Sequence, residues 1–211
     1  MLRNRTTAWR AWLTAAALGL SFSFAQAQAT KAPDVLIKEV STDVLDALRA
    51  DKSIKQGDVQ KVIALVDAKV MPHVNFQRMT ASAVGRYWRQ ATPEQQKRLQ
   101  DEFKILLVRT YSGALAQVQD QTVELKPMRA GADDKEVVVK TEIRGRGDPV
   151  QLDYRLENAG GAWKVYDINV LGVWLVENYR NSFSQEIGAS GIDGLINKLA
   201  ERNKAAGAAK S

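Results

Sequence analysis

The sequence predicts an α+β domain in which helices pack on one face of a twisted four-stranded antiparallel sheet. Three observations carry this expectation. Apolar residues recur at helical spacing through the first half of the chain and alternate with polar ones in the second. Turn-forming clusters then divide that second half into short segments. Strands joined by short turns run antiparallel, with one face solvated and one buried, and the flanking helices supply the cover.

The first residues read as an export leader rather than as part of the fold. Arg3, Arg5 and Arg10 form a basic start, Ala11–Phe24 is apolar, and AQAQA at Ala25–Ala29 offers the small residues a signal peptidase accepts. The apolar stretch is shorter than the ~20 residues that span a bilayer. We therefore expect a signal peptide at 1–27, a single domain at 28–204 and a frayed tail at 205–211. The net charge of +6 falls when the leader's three arginines leave, and such a weak basic excess lacks the dense stripe that nucleic acid requires. The chain has no cysteine, so the core alone must hold the fold.

The elements follow in order. Asp34 sits where an N-cap would, before Val35, Leu36, Val40, Val44, Leu45 and Leu48 at helical spacing. A second helix spans Asp58–Val70 and ends at Met71-Pro72, because proline disfavours helix at the residue before it. Asn75 caps a third, which Gly85 interrupts. TPEQ at Thr92–Gln95 combines an N-cap, a proline at the first helical position and a capping-box glutamine. Leu99, Phe103, Leu106, Leu107, Tyr111, Ala114 and Val118 then mark a long amphipathic helix to about Gln119.

Strands are expected near 121–129, 136–144, 149–158 and 162–171, separated by AGADD, GRGDP and NAGG. In the third, Val150, Leu152, Tyr154 and Leu156 point one way, while Gln151, Asp153, Arg155 and Glu157 point the other. Two helices close the chain. Leu175, Val176, Tyr179, Phe183 and Ile187 mark the first, which Gly188 would stop, and Ile192, Leu195, Ile196 and Leu199 mark the second.

Reactive chemistry is sparse. His73 is the one histidine, at a helix junction, and reads better as a capping or core-edge residue than as a base. No GxSxG elbow is present, and one histidine without cysteine cannot build a zinc site of the usual His/Cys kind. GRGDP at Gly145–Pro149 matches no phosphate loop and reads as a hairpin turn; Arg144 and Arg146 would meet an anionic headgroup only at a cavity mouth. An apolar surplus remains. Whether the sheet and the long helix close fully or leave a cavity is not decided by periodicity.

The stretch NFQRMTASAVGRYWRQATPEQQKRLQDEFKILLVRTYSGAL, Asn75–Leu115, resembles the MlaC family, also called the toluene-tolerance lipid-carrier family. GRYWRQATPEQ and LLVRTY are its specific parts, and WKVYDINVLGVWLVENYRNSF and GIDGLINKL follow in the same order. The resemblance covers roughly Ala32–Leu199. It departs at Asn75, where many relatives carry an acid, and at Trp174, where a small residue is common and a tryptophan would narrow a cavity or sit at its mouth.

The resemblance implies an NTF2-like cone enclosing an apolar cavity, with no cofactor and a phospholipid as cargo. The protein would be a soluble periplasmic carrier shuttling lipids between outer and inner membranes to maintain outer-membrane lipid asymmetry. Its partners would be an outer-membrane lipoprotein–porin complex and an inner-membrane MCE-domain protein of an ABC transporter. Exposing one acyl CH₂ costs ~0.8 kcal/mol, so a two-chain lipid with about thirty such groups faces roughly 20–25 kcal/mol outside a bilayer. A dry cavity removes that barrier without any nucleophile or metal. On this reading the expected lining is Phe103, Leu107, Tyr111, Val139, Ile143, Leu152, Tyr154, Val165, Val170, Leu175 and Tyr179, with tyrosine hydroxyls near the entrance. Two alternatives stay open: an NTF2-like enzyme acting on a small apolar substrate through His73, Asp153 or Asp167, and an envelope adaptor with a filled core.

Overall fold

In the computed structural model, residues 31–129, 131 and 133–208 are described, so the expected signal peptide at 1–27 lies outside them. Helices α1 (Pro33–Ala50), α2 (Lys52–Lys55), α3 (Val59–Lys69), α4 (Phe76–Val84) and α5 (Pro93–Leu115) come first. Strands β1 (Thr122–Leu125), β2 (Glu136–Arg144), β3 (Val150–Ala159), β4 (Ala162–Val170) and β5 (Val173–Trp174) follow, then α6 (Leu175–Ala208). The rest of the expected tail, 209–211, is outside the described residues. None of the described helices is long and apolar enough to cross a membrane.

Most helix starts follow the side chains that satisfy their free N–H groups. Asp58 accepts from the backbone of Gln60 and Lys61, and Asn75 from Arg78 at 3.0 Å. At α5 the capping box is complete: Thr92 Oγ1 accepts from Gln95 N at 3.2 Å, and Gln95 Oε1 accepts from Thr92 N at 3.0 Å. Thr92→Ala is expected to lower stability by about 1 kcal/mol, read as a shift in urea midpoint at unchanged m-value.

Asp34 is not the cap of α1. That helix starts at Pro33, whose fixed φ and missing N–H suit the first position, and Ala32 caps it without a side-chain bond. The long helix also stops at Leu115 rather than Gln119. Arg49 of α1 takes the carbonyls of Gln119 and Gln121, the first at 2.9 Å, which draws this segment out of the helix. At the other end of the chain α6 runs through Gly188 and breaks instead at Gly191 (φ 74°, ψ 179°). There Ser190 Oγ presses so close to Gly194 that a Cβ at that position would collide with it.

The sheet is an antiparallel meander in chain order, β1-β2-β3-β4-β5, five strands where four were expected. The extra strand is a two-residue hairpin return: Leu171 and Gly172 form the turn, and Val173 pairs with Val170 before the last helix begins. A bulge interrupts the pairing of β3 with β4, since Arg155 faces Asp167 but Leu156 faces Val165, leaving Tyr166 as the additional residue. The bulge keeps both Val165 and Ile168 on the inner face, which strict alternation would not allow.

Three apolar clusters fill the space between the layers. One joins α4, α5 and α6 around Phe103, which is fully buried with its ring 5.0 Å from Tyr179 and 5.2 Å from Phe183, both edge-on. A second sets Leu36 and Ile37 of α1 on Val137, Val139, Leu156 and Val165. A third packs α1, α2 and α3 against the end of α5. Arg78 fastens α4 to the sheet by pairing with Glu157 and, at 2.6 Å, with Glu136, while its guanidinium stacks on Tyr166 at 3.6 Å.

Candidate functional site

The pairing register arranges the inner face of the sheet in rows. Val137–Leu156–Val165 and Val139–Tyr154–Ile168 lie toward one end. Thr141–Leu152–Val170–Val173 and Ile143–Val150 lie toward the other. Burial differs between the two ends, although Tyr154 and Ile168 at the first are half-buried and Thr141 at the second is fully buried. Helix α1 covers the first end, so Val137, Val139, Leu156 and Val165 are buried. At the second end Ile143, Leu152 and Val170 are only half-buried, and Val150 and Val173 are exposed.

The residues expected to line a pocket therefore fall into two sets. Phe103, Val139, Val165 and Leu175 are fully buried and belong to the packed core. Leu107, Tyr111, Ile143, Leu152, Tyr154, Val170 and Tyr179 are half-buried. Within this set Leu152 pairs with Val170 on the sheet, while Leu107 and Tyr179 pack beside Phe103 on the helical side. Burial, and then the neighbouring Tyr179, raise the Tyr111 phenol above its ordinary pKa. Tyr154 is not an entrance residue. Its hydroxyl meets the hydroxyls of Ser41 on α1 and Thr141 on β2, and burial raises its pKa as well. The periodicity missed Thr141, Ile168 and Val173. The threonine is polar, Ile168 is displaced by the bulge, and Val173 lies in the two-residue strand just before the final helix.

The titratable candidates lie elsewhere. Asp153 and Asp167 belong to the outer face of the sheet, opposite Leu152 and Tyr154. Asp167 is a structural cap: its Oδ1 accepts from Ile168 N at 2.9 Å and from Val176 N at 3.1 Å, anchoring the start of α6. Arg155 donates to its other oxygen at 3.1 Å, yet burial still pushes this carboxyl upward. Asp153 accepts from Gln151 at 2.9 Å. His73 sits in a 3₁₀ turn, Met71–His73, where burial and then Lys164 lower its pKa.

Trp174 also faces outward. It pairs with Asn169, and Arg155 stacks on its ring at 3.9 Å, so it neither narrows the inner face nor sits on it. Arg144 and Arg146 are held by acids: Arg144 pairs with Glu124 and Glu142 at 2.8 Å, and Arg146 with Asp120 at 3.4 Å.

Two open concavities lie away from the expected lining. One of about 620 Å³ lies between α1, α2 and α3, lined by Ala47, Ala50, Asp51, Lys52, Lys61 and Leu65 among others. A smaller one of about 290 Å³ is on the outer face, with Glu136, Val138, Arg155 and Tyr166. Charged groups at both rims make them poor hosts for a hydrocarbon chain. The half-buried stripe on the inner face is the better apolar surface.

The sequence profile of the MlaC protein family matches residues 38–201. This chain belongs to the MlaC family. Among curated members, it is 28% identical over 186 residues to the toluene tolerance protein ttg2D of Pseudomonas putida, spanning 84% of this chain and 86% of that protein. It is 25% identical over 175 residues to the intermembrane phospholipid transport system binding protein MlaC of Haemophilus influenzae, covering 81% and 82% of the two. A solved phospholipid-binding protein from Ralstonia solanacearum, in complex with a phospholipid, superposes with a TM-score of 0.80 at 48% identity. That match covers 82% of this chain and 98% of the other. The MlaC-family fold agrees with the α+β architecture expected from the sequence.

Proposed function

We propose that this protein is a phospholipid carrier that holds acyl chains against the inner face of its sheet, with the headgroup outside. The observation that carries this reading is the half-covered apolar stripe of Ile143, Leu152 and Val170, in a chain 48% identical to a protein solved with a phospholipid bound. Leu107, Tyr111 and Tyr179 would form the opposite wall, and Phe103, Val139, Val165 and Leu175 would back it from the core. In this reading the leader is cleaved and the carrier works in the periplasm. It shuttles lipid between outer and inner membranes and so maintains outer-membrane lipid asymmetry. It would exchange cargo with an outer-membrane lipoprotein–porin complex and an inner-membrane MCE-domain protein of an ABC transporter. No cofactor takes part.

A carrier need only match the bilayer's apolar environment, because binding far tighter than the membrane would prevent release. Organic extraction of the purified protein followed by mass spectrometry tests the reading. Near-stoichiometric phospholipid is the expected result, and a protein that carries none and takes up none from vesicles would overturn it.

A further inference from the structure

The turn between β4 and β5 is built from a residue that backbone sterics disfavour there. A two-residue hairpin turn with both central residues at positive φ selects Asn, Asp or Gly first and Gly second. The second is Gly172 (φ 88°), but the first is Leu171 (φ 52°), the one non-glycine residue at positive φ among those described. The backbone is well anchored: Leu171 N–H donates to the Gln151 carbonyl at 3.1 Å, and Gly172 N–H to Asn169 Oδ1 at 2.8 Å. The side chain gains little packing from this arrangement, being 65% exposed. Strain at an exposed apolar residue points to a role beyond the chain's own packing.

The surroundings indicate what meets it. Val173 is 50% exposed beside the turn, and Val150 is 38% exposed next to the Gln151 that holds Leu171. These residues run directly into Leu152 and Val170 of the inner face. The same end of the sheet is not basic, since Arg144 and Arg146 are each matched by acids and Asp148 shares their hairpin. An anionic membrane surface attracts unmatched cations, whereas an acyl chain asks only for apolar contact.

We propose that Leu171 is the lip of the lipid site, over which an acyl chain of the cargo passes, together with Val150 and Val173, on its way to the inner face. The proposal rests on the phospholipid-carrier reading. A contact made along the route, and not in the final complex, speeds loading and unloading alike and leaves the affinity unchanged. The lip therefore acts on rates.

The test compares delipidated wild type with the Leu171→Asn and Leu171→Met variants. Uptake is followed by fluorescence from two sources: a pyrene-labelled phosphatidylglycerol in vesicles, and a pyrene-labelled short-chain phosphatidylcholine presented as a monomer. Leu171→Asn should raise Tm by about 2–4 °C, because asparagine tolerates this conformation. It should slow uptake from both sources about tenfold, the scale of losing one leucine contact, and reach the same final lipid content. Leu171→Met should load at the wild-type rate. A wild-type rate in Leu171→Asn overturns the lip, and so does slowing confined to vesicles, which would assign Leu171 to the bilayer. Wild-type protein that takes up neither lipid overturns the carrier function itself, a separate outcome.

Discussion

Leu152→Asp should abolish phospholipid carriage while leaving a folded protein. Leu152 is central to the exposed end of the inner face, paired with Thr141 on one side and Val170 on the other. Being only half-buried, it lets an aspartate reach water in the lipid-free protein, so the fold should survive. An acyl chain laid over it would strip that water away. Covering an unpaired carboxylate with hydrocarbon costs several kcal/mol, so lipid retained through purification should fall by about 100-fold or more.

The pH dependence gives this prediction a sign. In the lipid-bound state desolvation raises the pKa of the introduced carboxyl, so the bound form takes up a proton more readily than the free form. Binding should be weakest above the raised value and recover as pH falls through it. Val170→Asp should behave the same way, because it pairs directly with Leu152. Val138→Asp, on the outer face and 40% exposed, should retain its lipid. Lipid per protein by mass spectrometry, with circular dichroism as the folding control, reads all three. Full lipid content in folded Leu152→Asp and Val170→Asp would remove this stripe from the site.

Phe103→Ala should be strongly destabilising, by about 3–5 kcal/mol. Its ring is fully buried and touches three others, with Phe76 at a centroid distance of 5.8 Å in addition to Tyr179 and Phe183. Those rings come from α4 and α6, so the cavity would open where three helices meet, and a helical junction cannot collapse inward without moving all of them. Tm should drop by roughly 10 °C for a chain of this size. Both proteins must be delipidated first, since a ligand that binds only the folded state adds its own stability. A loss below about 1 kcal/mol would show that the junction repacks easily.

Local signals in the sequence were reliable where a few adjacent residues settle the outcome. The Thr92–Gln95 capping box, the Asn75 cap and the meander all follow from short stretches with their own hydrogen-bonding or turn chemistry. Misreadings arose where a distant partner decides. Arg49 unwinds the end of the long helix from 70 positions away, which no window around Gln119 can reveal. Gly188 and Gly191 look equivalent as helix stops, yet only Gly191 takes the non-helical conformation (φ 74°, ψ 179°), and there the tight approach of Ser190 leaves room only for a glycine at 194. Tyr166 could sit in β4 as an ordinary alternating residue; its outward place depends on the bulge and on the guanidinium of Arg78. For the candidate site, alternation identified the inner face of β2 and β3. The division into covered and open halves depends on where α1 lands, which is a tertiary fact.

Because strand order equals chain order, every strand pairs only with a neighbour in sequence. The sheet therefore has low contact order, and each hairpin can zip without waiting for a remote segment. The entropic burden of loop closure falls on the two ends of the chain. Helix α1 must return to β1 and β2, and α6 must come back over α4 and α5. Folding should thus proceed as an early sheet with a late helical cover. By the same reasoning α1 can loosen from its half of the inner face while the strands stay paired, and that local opening is the cheapest route by which the interior could widen.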